Sequence, residues 1–435
     1  MKSAFFHTRS SGKGKSMKTF KLDSWLHKII NRYLLDIVVI LLLMISVLIR
    51  IAGAPHCDFG DYKAFLFPWY SEYKNLGIRQ GLSQNIGDYY VPYNVVLALL
   101  SKMPCPLYQG LVAVHSVAEY VSAFFVYKIV MIAGKEKSLP EGGSYANHKA
   151  VIIAVLTLFN PMAILNNAVW KQADCLYTCF LIISLYLLLV EKYTRAFIVY
   201  SIAFCFKLQA VFFLPFLLIV YMKKQKFSIF QFFWIPLMYL LAGLPAILLG
   251  RGIKDTYGTY FRQIGTYKSI SLNAANIYQL GLSDYQILKY IGIFMTVAVF
   301  IVTAWYICQS HIPMNTVNMI FLGAWSVWTC YLFLPCMHER YDYAAVYILS
   351  FLLMLTEGHL LSNLLINLVP LLTYAKYLFG KNDIPMYLIS MMNLLLYAWF
   401  TGVFFNYNDL FLKKERRFYP DHYTKKVEND DKACM

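Results

Sequence analysis

Charge is what this chain has least of. Only 14% of its 435 residues are charged against 59% hydrophobic, and acids are the scarcer sign, 23 against 39 Lys and Arg. A soluble domain covers its surface with about a quarter charged residues, so this composition excludes a water-soluble globular chain. The mean hydropathy of +0.52 and apolar runs that reach the roughly 20 residues of a spanning helix describe an all-α polytopic membrane protein. Cysteine chemistry is missing too. The nine cysteines are scattered, with no C-x-x-C pair and no His/Cys cluster of zinc spacing. No disulfide framework and no metal is implied, and Cys175 and Cys179 read as buried small hydrophobes. A cleavable leader is not expected: the apolar run from Leu34 is too long and no small-residue cleavage site follows. That run reads as an uncleaved first span.

The charge that is present is placed by topology. The formal net charge of +16 does not imply nucleic-acid binding, because the first 32 residues alone hold eight Lys/Arg against one acid, Asp23. That is a positive-inside signature. Basic connections at 134–149, 191–195 and 223–226, with the tail carrying Lys413–Arg417, read as cytoplasmic. They leave 52–107, 166–173, a break at Lys207, 250–286, 335–343 and 380–385 on the other side. The expected organisation is a basic cytoplasmic tail (1–33), a transmembrane domain (34–404) of about 12 spans, and a cytoplasmic C-terminal tail (405–435). Within it, 91–104 is too short and proline-fenced to span and fits an interfacial helix. The apolar segment 196–221 starts and ends at basic loops, so it must enter and return, breaking near Lys207.

Five polar clusters fall on the outward segments. The first runs through "CDFGDYKAFLFPWY" to "GDYYVPYN", with Asp58, Asp61 and Tyr89. An acid at the end of a span can cap a juxtamembrane helix. Capping explains one acid but neither both nor the density of rings, so a general-base role is favoured for one of the pair. The second is "NPMAILNNAVWKQAD", where Trp170, Lys171, Gln172 and Asp174 combine ring, charge and amide. Helix-end satisfaction and ligand contact are equally good readings of Asn166 and Asn167. The third is Lys207 with Gln209; Lys207 either snorkels or meets a phosphate. The fourth is the long loop with Asn273, Asn276 and Tyr278, and the fifth is "PCMHERYDY" with His338, Glu339 and Arg340. Arg340 suits a phosphate through its planar fork. Its neighbour Glu339 is expected to act separately, since adjacent residues on a helix do not face each other.

A neutral lipid would not need these cations, whereas a polyprenyl-phosphate sugar would. Its phosphate sits at headgroup depth, its sugar projects outward, and a carboxylate can deprotonate the acceptor hydroxyl. Because the leaving phosphate is already ionised, neither a metal nor another cofactor is required. A carrier or flippase for lipid-linked sugars, or a polysaccharide polymerase or ligase, is the alternative. Transporters, though, keep outer loops short and bury ionisable groups in repeated broken helices, and no clear internal repeat is present.

The motifs "GDY", "GDYYVPYN", "NNAVWKQAD", "FKLQAVFFLP", "LNAANIYQL" and "HERYDY", in this order from about Leu34 to Tyr343, resemble a bacterial family. These are the integral-membrane mannosyltransferase-like proteins related to GPI mannosyltransferase II, in the GT-C glycosyltransferase superfamily. The resemblance implies a GT-C-type fold in the plasma membrane and inverting transfer of a hexose, mannose in the family, on the extracytoplasmic side. The donor would be a polyprenyl-phosphate sugar and the acceptor a glycan or glycolipid of the cell envelope. It further implies a catalytic Asp in the first outer loop, at Asp61 with Asp58 as the alternative, and His338 and Arg340 near the donor phosphate. One position departs from the pattern: Lys171 stands where glycine is expected.

Overall fold

The computed structural model describes residues 21–56, 60–136, 144–266, 268–356, 359–381 and 383–418. The chain divides into two compact units, residues 1–45 and 46–435. In the first, the described residues are helical, part of the helix Lys21–Gly53 that opens with Asp23 in its first turn.

The protein is an all-α polytopic membrane protein. Among the described residues the only strands are two of two residues each, Ser271–Leu272 and Met337–His338, paired in parallel. Among the described residues seven helical segments are long and apolar enough to cross a bilayer: Arg32–Gly53, Leu107–Lys135, Asn147–Val169, Ile229–Leu248, Tyr285–Gln309, Thr316–Phe333 and Met386–Asn408. They differ in what their apolar faces meet. Thr316–Phe333 is 89% buried within the protein, whereas Ile229–Leu248 is 11% buried and turns side chains such as Leu240 and Leu248 outward. A helix apolar all round is either a core helix or one that faces lipid, and both kinds occur here.

Besides these seven, shorter apolar helices lie among the elements. Asp174–Leu189, Tyr193–Phe206 and Tyr343–Leu355 are apolar but only 13–16 residues long. Each stops at a polar residue: Asp174, Lys207 and Asp342. Lys207 is extended (φ −153°, ψ 134°) between Tyr193–Phe206 and the 3₁₀ turn Leu208–Phe213, so the segment 196–221 breaks at that lysine. Val91–Leu100 is a separate ten-residue helix with Pro92 in its first turn. The helix Asp174–Leu189 packs between Leu107–Lys135 and Tyr193–Phe206. That packing gathers the three polar ends at one place.

Candidate active site

Asp61 follows Gly60, whose φ of +56° suits glycine and whose Cβ, were there one, would stand 2.9 Å from the Tyr377 hydroxyl. The π-helical turn Tyr62–Leu66 begins immediately after, and Asp61 makes no side-chain capping bond to it. Its carboxylate points elsewhere. Oδ1 accepts from the Tyr377 hydroxyl at 2.8 Å and Oδ2 from Gln172 Nε2 at 3.0 Å. Arg340 Nη1 lies 3.4 Å from Oδ2. The capping explanation therefore fails for this acid. With 21% of its side chain exposed, Asp61 is held by three donors and still reachable. Asp58 lies outside the described residues. Tyr377, which sequence reasoning missed, comes from Leu360–Phe379; its signal was its place three residues before Gly380, at the edge of an outward segment.

The second cluster supplies one wall. Asn160 caps Pro161–Ile164 by accepting from Ala163 N at 3.1 Å. The helix then widens into a π-turn, Leu165–Val169, and breaks at Trp170; such turns recur at functional sites. Trp170 is fully buried. It stacks on Tyr377 with centroids 4.7 Å apart, and the Arg340 guanidinium sits 5.2 Å from its ring. Lys171 has a φ of +62°, a left-handed conformation that favours glycine. The backbone thus accounts for the glycine expected there. The long side chain in its place is buried and used: Nζ donates to the carbonyls of His56 and of Val169, the latter at 2.9 Å, and lies 5.2 Å over the Tyr62 ring. Lys171 ties down the chain on both sides of Asp61.

Behind this wall, Asp174 is completely buried and paired with Lys207 at 2.5 Å. The ammonium is buried against that carboxylate, so Lys207 does not snorkel. It also lies 5.6 Å from the Tyr341 ring. Gln209 is buried in the 3₁₀ turn, and among the described residues no side-chain hydrogen bond ties it to the cluster. The two asparagines separate. Asn166 Nδ2 donates to Tyr374 at 3.2 Å and to Asp174 at 3.4 Å. Asn167 donates to Glu119 and Tyr343 at 2.9 and 2.8 Å, and Glu119 is held by Arg50 at 2.7 Å. Asn167 thus serves an internal network that sequence reasoning did not find.

The fourth and fifth clusters are stitched to one another. Beside the strand pair, Cys336 N donates to Ile270 O at 2.9 Å and Glu339 N to Leu272 O at 3.2 Å. Asn273, in the left-handed region at φ +56°, bridges to His338. Asn276 caps the turn Ile277–Leu280, and the Tyr278 hydroxyl donates to Phe333 O at 2.6 Å. These two hold the loop in shape and are not bonded to Asp61. Tyr89 packs at a tilt against Tyr93, with ring centroids 4.3 Å apart, and meets Trp69 edge-on. The expected independence of Glu339 and Arg340 is corrected: Arg340 Nη1 lies 3.3 Å from Glu339 Oε1. The helical argument did not apply, because these residues form a turn after a strand.

The electrostatics are lopsided. Lys207 and Arg340 face Asp61, Asp174 and Glu339, and Asp342 adds a fourth carboxylate near Asp174 and Glu339. Burial pushes Glu339 up from the usual carboxylate range, against the pull of Arg340. Burial does the same more strongly to Asp342, both of whose oxygens lack a hydrogen-bond partner among the described residues. Burial first, then the Arg340 and Lys207 charges, hold His338 down at about 3, so its ring is neutral near pH 7. Among the described residues no group of three His, Cys, Asp or Glu could hold a metal. The arrangement offers one reachable carboxylate beside one guanidinium, on a rigid buried base.

A family model described as PIG-U, GPI transamidase subunit, matches residues 78–271, less than half of the chain. The match includes Trp170, Asp174 and Lys207, while Asp61 and Arg340 flank it. No curated protein matches the chain. The chain is a multi-pass membrane protein with partial similarity to a multi-pass membrane family of the GPI pathway.

Proposed function

We propose that this protein is a GT-C-type glycosyltransferase moving a hexose from a polyprenyl-phosphate sugar to a glycan or glycolipid acceptor. The observation that carries the reading is the partly exposed Asp61 carboxylate, oriented by Tyr377 and Gln172 and 3.4 Å from Arg340. Asp61 takes the proton of the acceptor hydroxyl, whose oxygen attacks the anomeric carbon. The bond from that carbon to the phosphate oxygen breaks, and lipid phosphate leaves with the electron pair. One displacement inverts the anomeric centre. Arg340 stabilises the departing charge, an interaction of the oxyanion kind, while the half-buried Tyr377, backed by the buried Trp170, offers a ring for a sugar face. The positive-inside pattern supports a site on the extracytoplasmic side of a bacterial plasma membrane.

Arg340→Ala is expected to lower transfer about ten- to hundredfold, the worth of one charge-assisted contact. Arg340→Lys should recover only part of it, because an ammonium has no fork. The assay is release of polyprenyl phosphate from donor plus acceptor in detergent. Wild-type turnover in Arg340→Ala would remove this side chain from the leaving-group site.

Lys171→Gly relieves a left-handed residue but removes a buried side chain and its hydrogen bonds to the His56 and Val169 carbonyls, so the unfolding temperature is expected to fall. Turnover is expected to fall about tenfold, since a misplaced base near the reaction centre loses rate steeply. Unchanged turnover would show that the His56 tether does not position Asp61.

A second reading is favoured by the family match, whose description is a subunit rather than a transferase. In that reading the same cluster holds a glycolipid for a partner enzyme. It predicts binding of a lipid-linked glycan without release of lipid phosphate, so the same assay separates the two.

A further inference from the structure

We propose that the cavity at the break in the helix Phe67–Ser83 binds the headgroup of an anionic phospholipid. The break is at Gly77, whose φ of 78° and ψ of 167° fall where essentially only glycine is found. It adjoins a cavity of about 500 Å³ lined by Arg79, Gln80, Ser83, Lys102 and Leu249, among others. No residue of the Asp61 cluster is among its walls, and no carboxylate lines it. Arg79 and Lys102 are exposed, and among the described residues neither side chain has a partner. The Lys102 ammonium stands 4.0 Å from where a Gly77 Cβ would lie, over the break itself. Two cations converging on one cavity without a counter-charge repel each other, and an anion between them reverses the sign.

Depth in the bilayer identifies the anion's source. Leu249 directly follows the span-length segment Ile229–Leu248. In the flanking sequence Leu99, Met103 and Leu248 are 56, 56 and 82% exposed, as suits side chains turned to lipid. Cations at the end of a span, beside exposed apolar side chains, sit at headgroup depth, where basic pockets recognise lipid phosphates. A free phosphate has the same charge chemistry but uses none of that apolar flank.

The test is the thermal unfolding of the full chain in a neutral detergent, titrated with dioleoylphosphatidylglycerol or dioleoylphosphatidylcholine. The anionic lipid is expected to stabilise at lower concentration than the zwitterionic one. The Arg79→Gln, Lys102→Gln pair should raise its half-saturating concentration about thirtyfold, as expected for two interfacial cations. Removing the same charge elsewhere, with Lys192→Gln and Lys289→Gln, should leave it unchanged. An equal response to both lipids, or an equal loss in the two charge-matched pairs, overturns the proposal. So does stabilisation by inorganic phosphate alone that competes with the lipid, which would make this a soluble-anion site. If the double variant does not fold, Arg79→Gln alone carries the test, with an expected shift of about fivefold; an unshifted titration overturns the site.

Discussion

Asp61→Asn is expected to fold as the wild type does and to transfer sugar about 10²–10⁴-fold more slowly, the usual contribution of a positioned general base. Both carboxylate oxygens accept hydrogen bonds, from Tyr377 and Gln172. An amide at this position keeps one acceptor, and the tyrosine hydroxyl can rotate to accept from the new NH₂ group. What the variant loses is the ion pair to Arg340, whose guanidinium keeps Glu339 at 3.3 Å as a partner. Donor binding should therefore survive while the chemical step fails, a loss in kcat with little change in KM. Tyr377→Phe should be milder, about three- to tenfold, because the base stays charged and loses only one of its orienting bonds. Thermal unfolding and turnover measured side by side decide the matter. A folded, fully active Asp61→Asn protein would end the general-base assignment and favour the glycolipid-holding reading. An inactive Asp58→Asn beside it would move the base three residues back.

Much of this site was legible because membrane chains advertise their polar residues. Against long apolar runs, "GDY", "WKQAD", "FKLQ" and "HERY" stand out individually, and a polar group in a bilayer must find partners. That requirement foretells that the clusters meet, and Asp61, Gln172, Asp174, Lys207 and Arg340 do meet. It does not foretell who meets whom. The pairing of Lys207 with Asp174 links residues 33 apart, and no periodicity encodes it. Tyr377 was hidden because a tyrosine near a helix end also serves as an ordinary interfacial anchor. Glu339 and Arg340 were misread through a helix that the chain does not form, since Met337–His338 pairs with Ser271–Leu272 instead. Span-length helices alone do not give the crossing count, because several apolar stretches between charged loops are shorter helices. Asp174, Lys207 and Asp342 shorten three of those stretches from within.

Lys207→Met is expected to give the largest loss of stability of any single change at the site. Asp174 is wholly buried, and its Oδ1 is held by Lys207 at 2.5 Å. The remaining neighbours of its carboxylate are an Asn166 amide at 3.4 Å and Arg340 Nε at 3.9 Å. Removing the ammonium strands a charge where no water screens it, an effect on the order of 3–5 kcal/mol. Met keeps the length of the stem and its packing, so the loss reports the charge rather than a cavity. Adding Asp174→Asn removes the stranded charge, and the double variant should recover most of the unfolding temperature. Failure of the second change to rescue the first would mean that Lys207 stabilises through its stem and the Tyr341 ring instead. Turnover in the rescued double variant then separates two roles for the pair. If the pair only braces the wall behind Trp170, transfer returns with stability. If its field sets the site that Arg340 and Asp61 share, the protein refolds but stays slow, because Arg340 has lost the carboxylate that holds its Nε side.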